Sequence, residues 1–211
     1  MTIEGHYYEQ HGRDLHALIE SLGLKRVVLV GWSSGGADAL EYVRQFGGDK
    51  VAGLILLNTC PKVRGTDNTK EWVWSGTINE GDQDGSLRLF SYDVMIDRQK
   101  ANRDFAEWML YDPSPRNIQF VYDQTNNTPN SIAALLNMSY WFTDGTEPIK
   151  SLDGKVPLLY FVHQGWKDLA TVWSREHTPH ADIVESGKHM NFWEHPGKFD
   201  TTLDEFLTKV E

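Results

Sequence analysis

Short apolar runs alternate with helical patterns toward both ends of this chain. The apolar runs are continuous, as expected of strands buried on both faces of a parallel sheet. They span residues 26–30, 51–57, 156–162 and, more weakly, 181–185. Helical periodicity occupies the intervening stretches, at 8–22, 36–46, 168–177 and from Pro196 onward. Strands that alternate with helices predict an α/β fold, in which helices flank a parallel sheet.

The middle of the chain, from about 66 to 150, follows a different pattern. It holds no continuous apolar run of the buried-strand type, and it is rich in aromatic and turn residues. Helical patches fall near 86–97, 100–110, 114–124 and 129–139. Because the alternation of strands and helices resumes afterwards, we interpret residues 66–150 as a helical insertion within a single domain that comprises residues 1–211.

Composition and charge narrow the classes of function. The chain has 211 residues, of which 40% are hydrophobic and 24% charged, and this suits one globular domain. The formal net charge of −10 argues against nucleic acid or a membrane as partner, because both require a positive surface. No apolar run is long enough to cross a membrane, and the first residues lack the features of a signal peptide. We therefore expect a cytoplasmic protein.

One glycine-rich segment carries the first candidate chemistry. The sequence GWSSG (31–35) is a G-x-S-x-G motif between the predicted strand at 26–30 and the predicted helix at 36–46. In that setting a serine sits on a sharp, strained turn with its hydroxyl exposed, and small neighbours let strand and helix approach each other. The N–H groups at the start of the helix stabilise a developing negative charge. We predict that Ser33 is a nucleophile; the alternative is a glycine-rich turn with an incidental serine.

A serine nucleophile needs a base. In sites built on a strand–turn–helix motif the chain order is serine, acid, histidine. His189 follows the last predicted strand and is the predicted base, with a solvated loop histidine as the alternative. His195 competes for this role, but it directly precedes Pro196, so we expect it to cap the final helix or to lie at the surface.

The base in turn needs an orienting acid. Asp168 follows the predicted strand at 156–162 and is the predicted acid, although an aspartate there also suits a helix N-cap. Asn58 follows the predicted strand at 51–57. An amide cannot stabilise an imidazolium by charge, and Asp168 is therefore preferred.

The chain contains eight tryptophans. Trp32 and Trp166 lie at the loops that carry the candidate residues, and we predict that both line a substrate pocket. Packing in the core is the alternative for each of them.

Four segments together resemble the α/β-hydrolase family, in its esterase and cofactor-free haloperoxidase-like branch. They are VVLVGWSSGG (27–36), VAGLILLNTCP (51–61), VPLLYFVHQGWKD (156–168) and SGKHMNFWEHPGKF (186–199). The predicted insertion resembles the cap of that family. By position, the resemblance implies that Ser33 is the nucleophile, Asp168 the acid and His189 the base. It also implies that the backbone N–H of Ser34 is one oxyanion donor.

The resemblance covers nearly all of this chain but only part of the family's fold. The family normally has four strands before the helix at 8–22, and one of their loops supplies a second oxyanion donor. EGHYYEQHG (4–12) resembles the approach to that helix instead, so we expect an N-terminally truncated fold. The strand at 26–30 then becomes a sheet edge, which invites pairing with another chain. We expect a homodimer near that edge, or a separate polypeptide that supplies the missing strands.

The resemblance implies a serine hydrolase that cleaves small carboxylic esters through an acyl-enzyme. One alternative is a non-catalytic or weakly active, truncated dimeric binding module. A further alternative is a perhydrolase or acyltransferase that uses the same triad. No organic cofactor and no metal are expected. GDQDGS (81–86) resembles the start of a calcium loop, but it lacks the third acidic position and the closing glutamate, so we prefer a solvated acidic turn.

Overall fold

A computed structural model describes residues 5–74 and 86–210 of the protein. Its centre is a parallel sheet of β1 (Val27–Trp32), β2 (Val51–Leu57), β3 (Leu158–His163) and β4 (Asp182–Gly187). The strands lie side by side in chain order, β1-β2-β3-β4. This arrangement confirms the predicted α/β fold, and every strand boundary lies within two residues of its predicted position.

Helices cover and connect the strands. They are α1 (Tyr8–Ser21), α2 (Gly35–Phe46), α3 (Ser86–Ile96), α4 (Arg98–Met109), α5 (Pro115–Thr125), α6 (Asn130–Tyr140), α7 (Thr146–Lys150), α8 (Lys167–His177), α9 (Asn191–Glu194) and α10 (Pro196–Leu207). The four helical patches predicted in the middle of the chain correspond to α3, α4, α5 and α6. Residues 75–85, with most of the GDQDGS turn, lie outside the described residues, and the division into a domain and an insertion stays a prediction.

The core lies on both faces of β2, all of whose residues are buried. Leu54 and Leu56 pack with Tyr42 of α2 on one face, whereas Ile55 packs with Phe206 of α10 on the other. This alternation follows from the two-residue period of a strand. Burying one such side chain contributes about 1.5–3 kcal/mol, so the sheet is held mainly by this apolar packing.

The strand β1 forms one edge of the sheet within the described residues, because it pairs with β2 alone. Its burial is correspondingly less complete than that of β2, and the side chain of Val30 is 50% exposed. The predicted edge position of this strand is therefore confirmed. No helix in the described part of the chain is both long enough and apolar enough to span a membrane.

Candidate active site

Ser33 lies between β1 and α2 in a strained backbone conformation. Its φ of 52° falls in the left-handed region, which costs a non-glycine residue about 1–2 kcal/mol. Its backbone N–H donates to the carbonyl oxygen of Leu57 at 3.0 Å, so the ladder between β1 and β2 continues for one bond before the chain turns. The half-buried Ser33 thus occupies the sharp strand-to-helix turn that the sequence predicts.

Two glycines allow this turn. A Cβ atom on Gly31 would lie 2.5 Å from the Cα atom of Gly36 and 2.7 Å from the carbonyl oxygen of Gly35. A Cβ atom on Gly36 would lie 2.7 Å from the Cγ2 atom of Thr59. Gly35, by contrast, has ordinary space around it. The close approach of strand and helix therefore depends on Gly31 and Gly36 rather than on the second glycine of the motif.

Ser34, the predicted oxyanion donor, is the N-cap residue of α2. Its backbone therefore lies at the positive end of the helix dipole, directly after Ser33. Its side chain interacts with the phenol of the buried Tyr8. Burial raises the pKa of Tyr8 to about 12, and the hydrogen bond with Ser34 opposes that shift.

His189 is enclosed by three tryptophans, which we call the tryptophan cage: Trp32, Trp74 and Trp108. Their ring centroids lie 5.3, 5.7 and 4.9 Å from the imidazole centroid, and His189 is only 1% exposed. Burial, with a smaller effect of His163, lowers the pKa of His189 to about 3. The imidazole is therefore neutral at pH 7, which is the form that accepts a proton.

The backbone carbonyl of His189 is held from two sides. The indole Nε1 of Trp32 and the amide Nδ2 of Asn58 each donate to it at 3.0 Å. Asn58 is fully buried, and the hydroxyl of Ser186 donates to its Oδ1 atom. Sequence reasoning considered Asn58 only as a substitute for the acid and did not predict this role. The signal in the sequence was that Asn58 is a polar residue directly after a fully apolar strand.

The end of α4 also holds the loop that carries His189. The N–H of Met190 donates to the carbonyl oxygen of Met109 at 3.1 Å, and Nζ of Lys188 donates to the carbonyl oxygen of Leu110 at 2.8 Å. The N–H of Lys188 donates to the hydroxyl of Tyr111 at 3.0 Å. These bonds fix the histidine loop against the helical region in the middle of the chain.

Asp168 is not joined to His189 in this structure. It lies exposed in the first turn of α8, which begins at Lys167 with Trp166 as its N-cap residue, so Asp168 does not itself take the N-cap position. Among the described residues, the buried Nδ1 atom of His189 has no hydrogen-bond partner. The structure therefore links the Ser33 turn to the His189 loop through Trp32, and among the described residues no hydrogen bond joins Asp168 to His189.

Further aromatic rings extend the tryptophan cage. Trp166 meets Trp74 edge to face at 4.6 Å, and His163 at the end of β3 lies parallel to Trp108 at 5.9 Å. The Nδ1 atom of His163 donates to the carbonyl oxygen of Gln164, and burial lowers the pKa of its imidazole. Trp32 and Trp166 are thus both half-buried in one aromatic cluster, and their predicted contact with substrate stays a prediction.

Sequence reasoning missed Trp74, Trp108 and His163. Only His163 carried a signal, because it directly follows a buried strand. His195, the alternative base, is the exposed N-cap residue of α10, as its position before a proline predicted. Within residues 5–74 and 86–210, no group of three or more His, Cys, Asp and Glu side chains is arranged to hold a metal ion.

Comparison with known proteins identifies the family. A family model described as the alpha/beta hydrolase fold matches residues 4–196. The chain belongs to the alpha/beta hydrolase fold family. Among the relatives of this α/β-hydrolase, a putative non-heme chloroperoxidase from Synechocystis sp. is 33% identical over 96% of this chain and 74% of its own length.

Other relatives match over shorter segments or by fold. A bifunctional esterase/perhydrolase from Acinetobacter calcoaceticus is 34% identical over 58 residues, which are 28% of this chain and only 21% of that protein. The crystal structure of a bromoperoxidase from Bacillus anthracis superposes with a TM-score of 0.83 and 20% identity. That match covers 99% of this chain and 76% of the bromoperoxidase, and it shows a shared fold.

Proposed function

We propose that this α/β-hydrolase cleaves small carboxylic esters, with Ser33 as the nucleophile, His189 as the base and Asp168 as the acid. The strained backbone of Ser33 carries the proposal. A non-glycine residue is held there at an energetic cost, at the start of a helix, and its neighbour Trp32 donates to the backbone carbonyl of the buried His189. Strain of this kind is retained where it positions a reactive group.

The reaction proceeds through an acyl-enzyme. The Oγ atom of Ser33 attacks the ester carbonyl carbon while Nε2 of His189 takes the hydroxyl proton. The carbonyl oxygen becomes an oxyanion and accepts a hydrogen bond from the N–H of Ser34, a donor worth about 3–4 kcal/mol at this stage. His189 then protonates the leaving alcohol. Water, activated in the same way, attacks the acyl-enzyme and releases the carboxylic acid and free Ser33.

One feature of the site opposes His189 as the base and another favours it. Burial keeps the imidazole neutral at pH 7 but lowers its pKa to about 3, so the group is a weak base until a carboxylate reaches it. The imidazolium that then forms faces the rings of the tryptophan cage, and aromatic faces attract cations at these distances. In this proposal Asp168 orients His189 by reaching its unpartnered Nδ1 atom, which requires the exposed carboxylate to move inward.

The test compares turnover of p-nitrophenyl acetate and butyrate by the parent chain with Ser33→Ala, Ser34→Ala and Asp168→Asn variants. We expect Ser33→Ala to lose at least a thousandfold in kcat, because no other hydroxyl replaces the nucleophile. Ser34→Ala is the matched control, since it removes only a side chain and keeps the backbone N–H; its kcat should stay within about tenfold. Asp168→Asn should lose roughly a hundredfold or more if the aspartate orients the base.

Circular dichroism establishes that each variant is folded. If the folded parent and folded Ser33→Ala are both inactive, the enzymatic proposal is wrong and the non-catalytic binding module takes its place. If both turn over the esters at the same rate, Ser33 is not the nucleophile. If Asp168→Asn retains full activity while Ser33→Ala does not, the nucleophile is correct and the acid is wrong.

A second candidate uses the same residues for perhydrolysis. It is favoured by the similarity to a relative whose name is bifunctional esterase/perhydrolase. Hydrogen peroxide then attacks the acyl-enzyme in place of water, which gives a peracid and regenerates Ser33. Formation of peracid by the parent, but not by Ser33→Ala, in the presence of ester and peroxide would establish this activity.

We also propose that a second copy of the chain covers the edge at β1. The unpaired N–H and C=O groups of this edge and the half-exposed Val30 support the proposal.

A further inference from the structure

Ser33 and Asn58 occupy equivalent positions on neighbouring strands. The register pairs Trp32 with Leu57, and each of the two polar residues directly follows one of these partners. Their φ angles are 52° and 49°, and no other non-glycine residue in the described part of the chain has a positive φ. The N–H of Asn58 donates to the carbonyl oxygen of Phe161 at 2.7 Å, just as that of Ser33 donates to Leu57. The proposed function accounts for the backbone strain at Ser33. The equal strain at Asn58 needs a separate explanation.

The side chain of Asn58 is fully engaged with the loop that carries the base. Its Nδ2 atom donates to the carbonyl oxygens of His189 at 3.0 Å and of Lys188 at 3.3 Å, while Oδ1 accepts from the hydroxyl of Ser186. The carbonyl oxygens can only accept, so the amide orientation is dictated by its partners. Changing φ from the left-handed region to the β region would rotate the Cα–Cβ bond relative to the preceding chain and so redirect this side chain.

We infer that Asn58 is a positioning residue for His189, and that its strained backbone aims the amide at the His189 carbonyl. Trp32, the neighbour of the nucleophile, donates to the same carbonyl oxygen. Trp32 ends β1 and Asn58 directly follows β2, and both donate to the His189 carbonyl. The register of these two strands therefore sets the distance between the proposed nucleophile and base. This inference rests on the proposed function of Ser33 and His189.

Two substitutions at Asn58 separate positioning from folding. Asn58→Gly removes the amide, while glycine adopts a positive φ without strain. Asn58→Asp keeps the shape but replaces the donor with a carboxylate that faces two carbonyl oxygens. Asn102→Ala is the matched control, because Asn102 is also buried and donates from Nδ2 to Asn126 at 3.0 Å, but in α4 and without contact to the histidine loop.

We expect both Asn58 variants to lower kcat by at least tenfold with KM changed by less than about threefold, whereas Asn102→Ala keeps the parent kcat. Burial raises the pKa of the introduced carboxyl, and its protonated form regains one donor, so the ratio of Asn58→Asp activity to parent activity should rise as the pH falls through that pKa. Values of kcat within about twofold of the parent for both folded variants would overturn the inference.

A second readout does not depend on activity. In protein with isotope-labelled histidine, the His189 resonance is assigned as the signal that His189→Gln removes. We expect this signal to shift or split in Asn58→Gly and to be unchanged in Asn102→Ala. If the parent shows no turnover that depends on Ser33, the proposed function has failed, and this signal alone decides whether Asn58 fixes His189. An unchanged signal in Asn58→Gly overturns that role.

Discussion

At the scale of single residues, the buried imidazole of His189 makes folding sensitive to acid. An exposed histidine has a pKa of about 6.5, and that of folded His189 is about 3. Between these pH values the unfolded chain binds a proton that the folded chain does not. The contribution of His189 to the free energy of unfolding is therefore fully present above about pH 6.5 and is lost as the pH falls toward 3.

We predict that His189→Gln weakens this dependence on pH, because glutamine binds no proton in either state. For the parent, the His189 contribution falls by up to about 1.4 kcal/mol for each pH unit below 6.5. Urea unfolding at about pH 7 and about pH 5 measures the difference in the free energy of unfolding for both proteins. Equal losses in parent and variant would show that the histidine is not responsible.

The sequence allowed some site residues to be predicted and not others, for a physical reason. Ser33 and His189 were predicted as nucleophile and base because each follows a strand with a readable signature, and the structure places Ser33 in the predicted strained turn. The tryptophan cage depends on which rings meet across the fold, and for Trp74 and Trp108 no local pattern indicates it. Asn58 contacts the His189 loop through an amide that donates to a backbone carbonyl. Looking in the sequence only for titratable groups does not find a residue of this kind.

At the scale of elements, the contact between β1 and α2 depends on the absence of side chains at Gly31 and Gly36. We predict that Gly31→Ala destabilises the protein by about 3 kcal/mol or more, because its Cβ atom would meet backbone atoms of Gly36 and Gly35 that cannot move independently. Gly35→Ala should stay within about 0.5 kcal/mol of the parent, since only Asp38 Oδ2 lies near, at 4.0 Å. Urea unfolding of both variants tests the contrast, and comparable losses would contradict it.

The strands and helices themselves were predictable because each is encoded locally. Four apolar runs predicted the strands, and periodicity predicted eight of the helices. The short helices α7 and α9 were missed, because four or five residues are too few to show a helical period. The start of α8 lies one residue before its predicted position at 168, because Trp166, which is not a typical N-cap residue, takes the N-cap position. Asp168 consequently lies exposed in the first turn of the helix.

At the scale of the whole molecule, the open edge at β1 determines the expected assembly. We predict that the parent sediments as a dimer at tens of micromolar, and that Val30→Lys sediments as a monomer, because lysine on an edge strand opposes pairing. Val172→Lys, at an exposed residue of α8 on the far side of β3, is the matched control and should stay dimeric. A monomeric parent, or a dimer that Val30→Lys leaves intact, would contradict the proposed interface.

The hydrogen bonds between the end of α4 and the histidine loop have a further consequence. An enclosing helix usually acts as a lid that opens for substrate and leaves the catalytic groups in place. Here Met109 and Leu110 are bonded to Met190 and Lys188, on either side of the base. In the proposed mechanism, displacing α4 would move the base relative to the nucleophile, so substrate selectivity and kcat would change together. Substitutions in α4 that widen the range of substrates would therefore also change kcat.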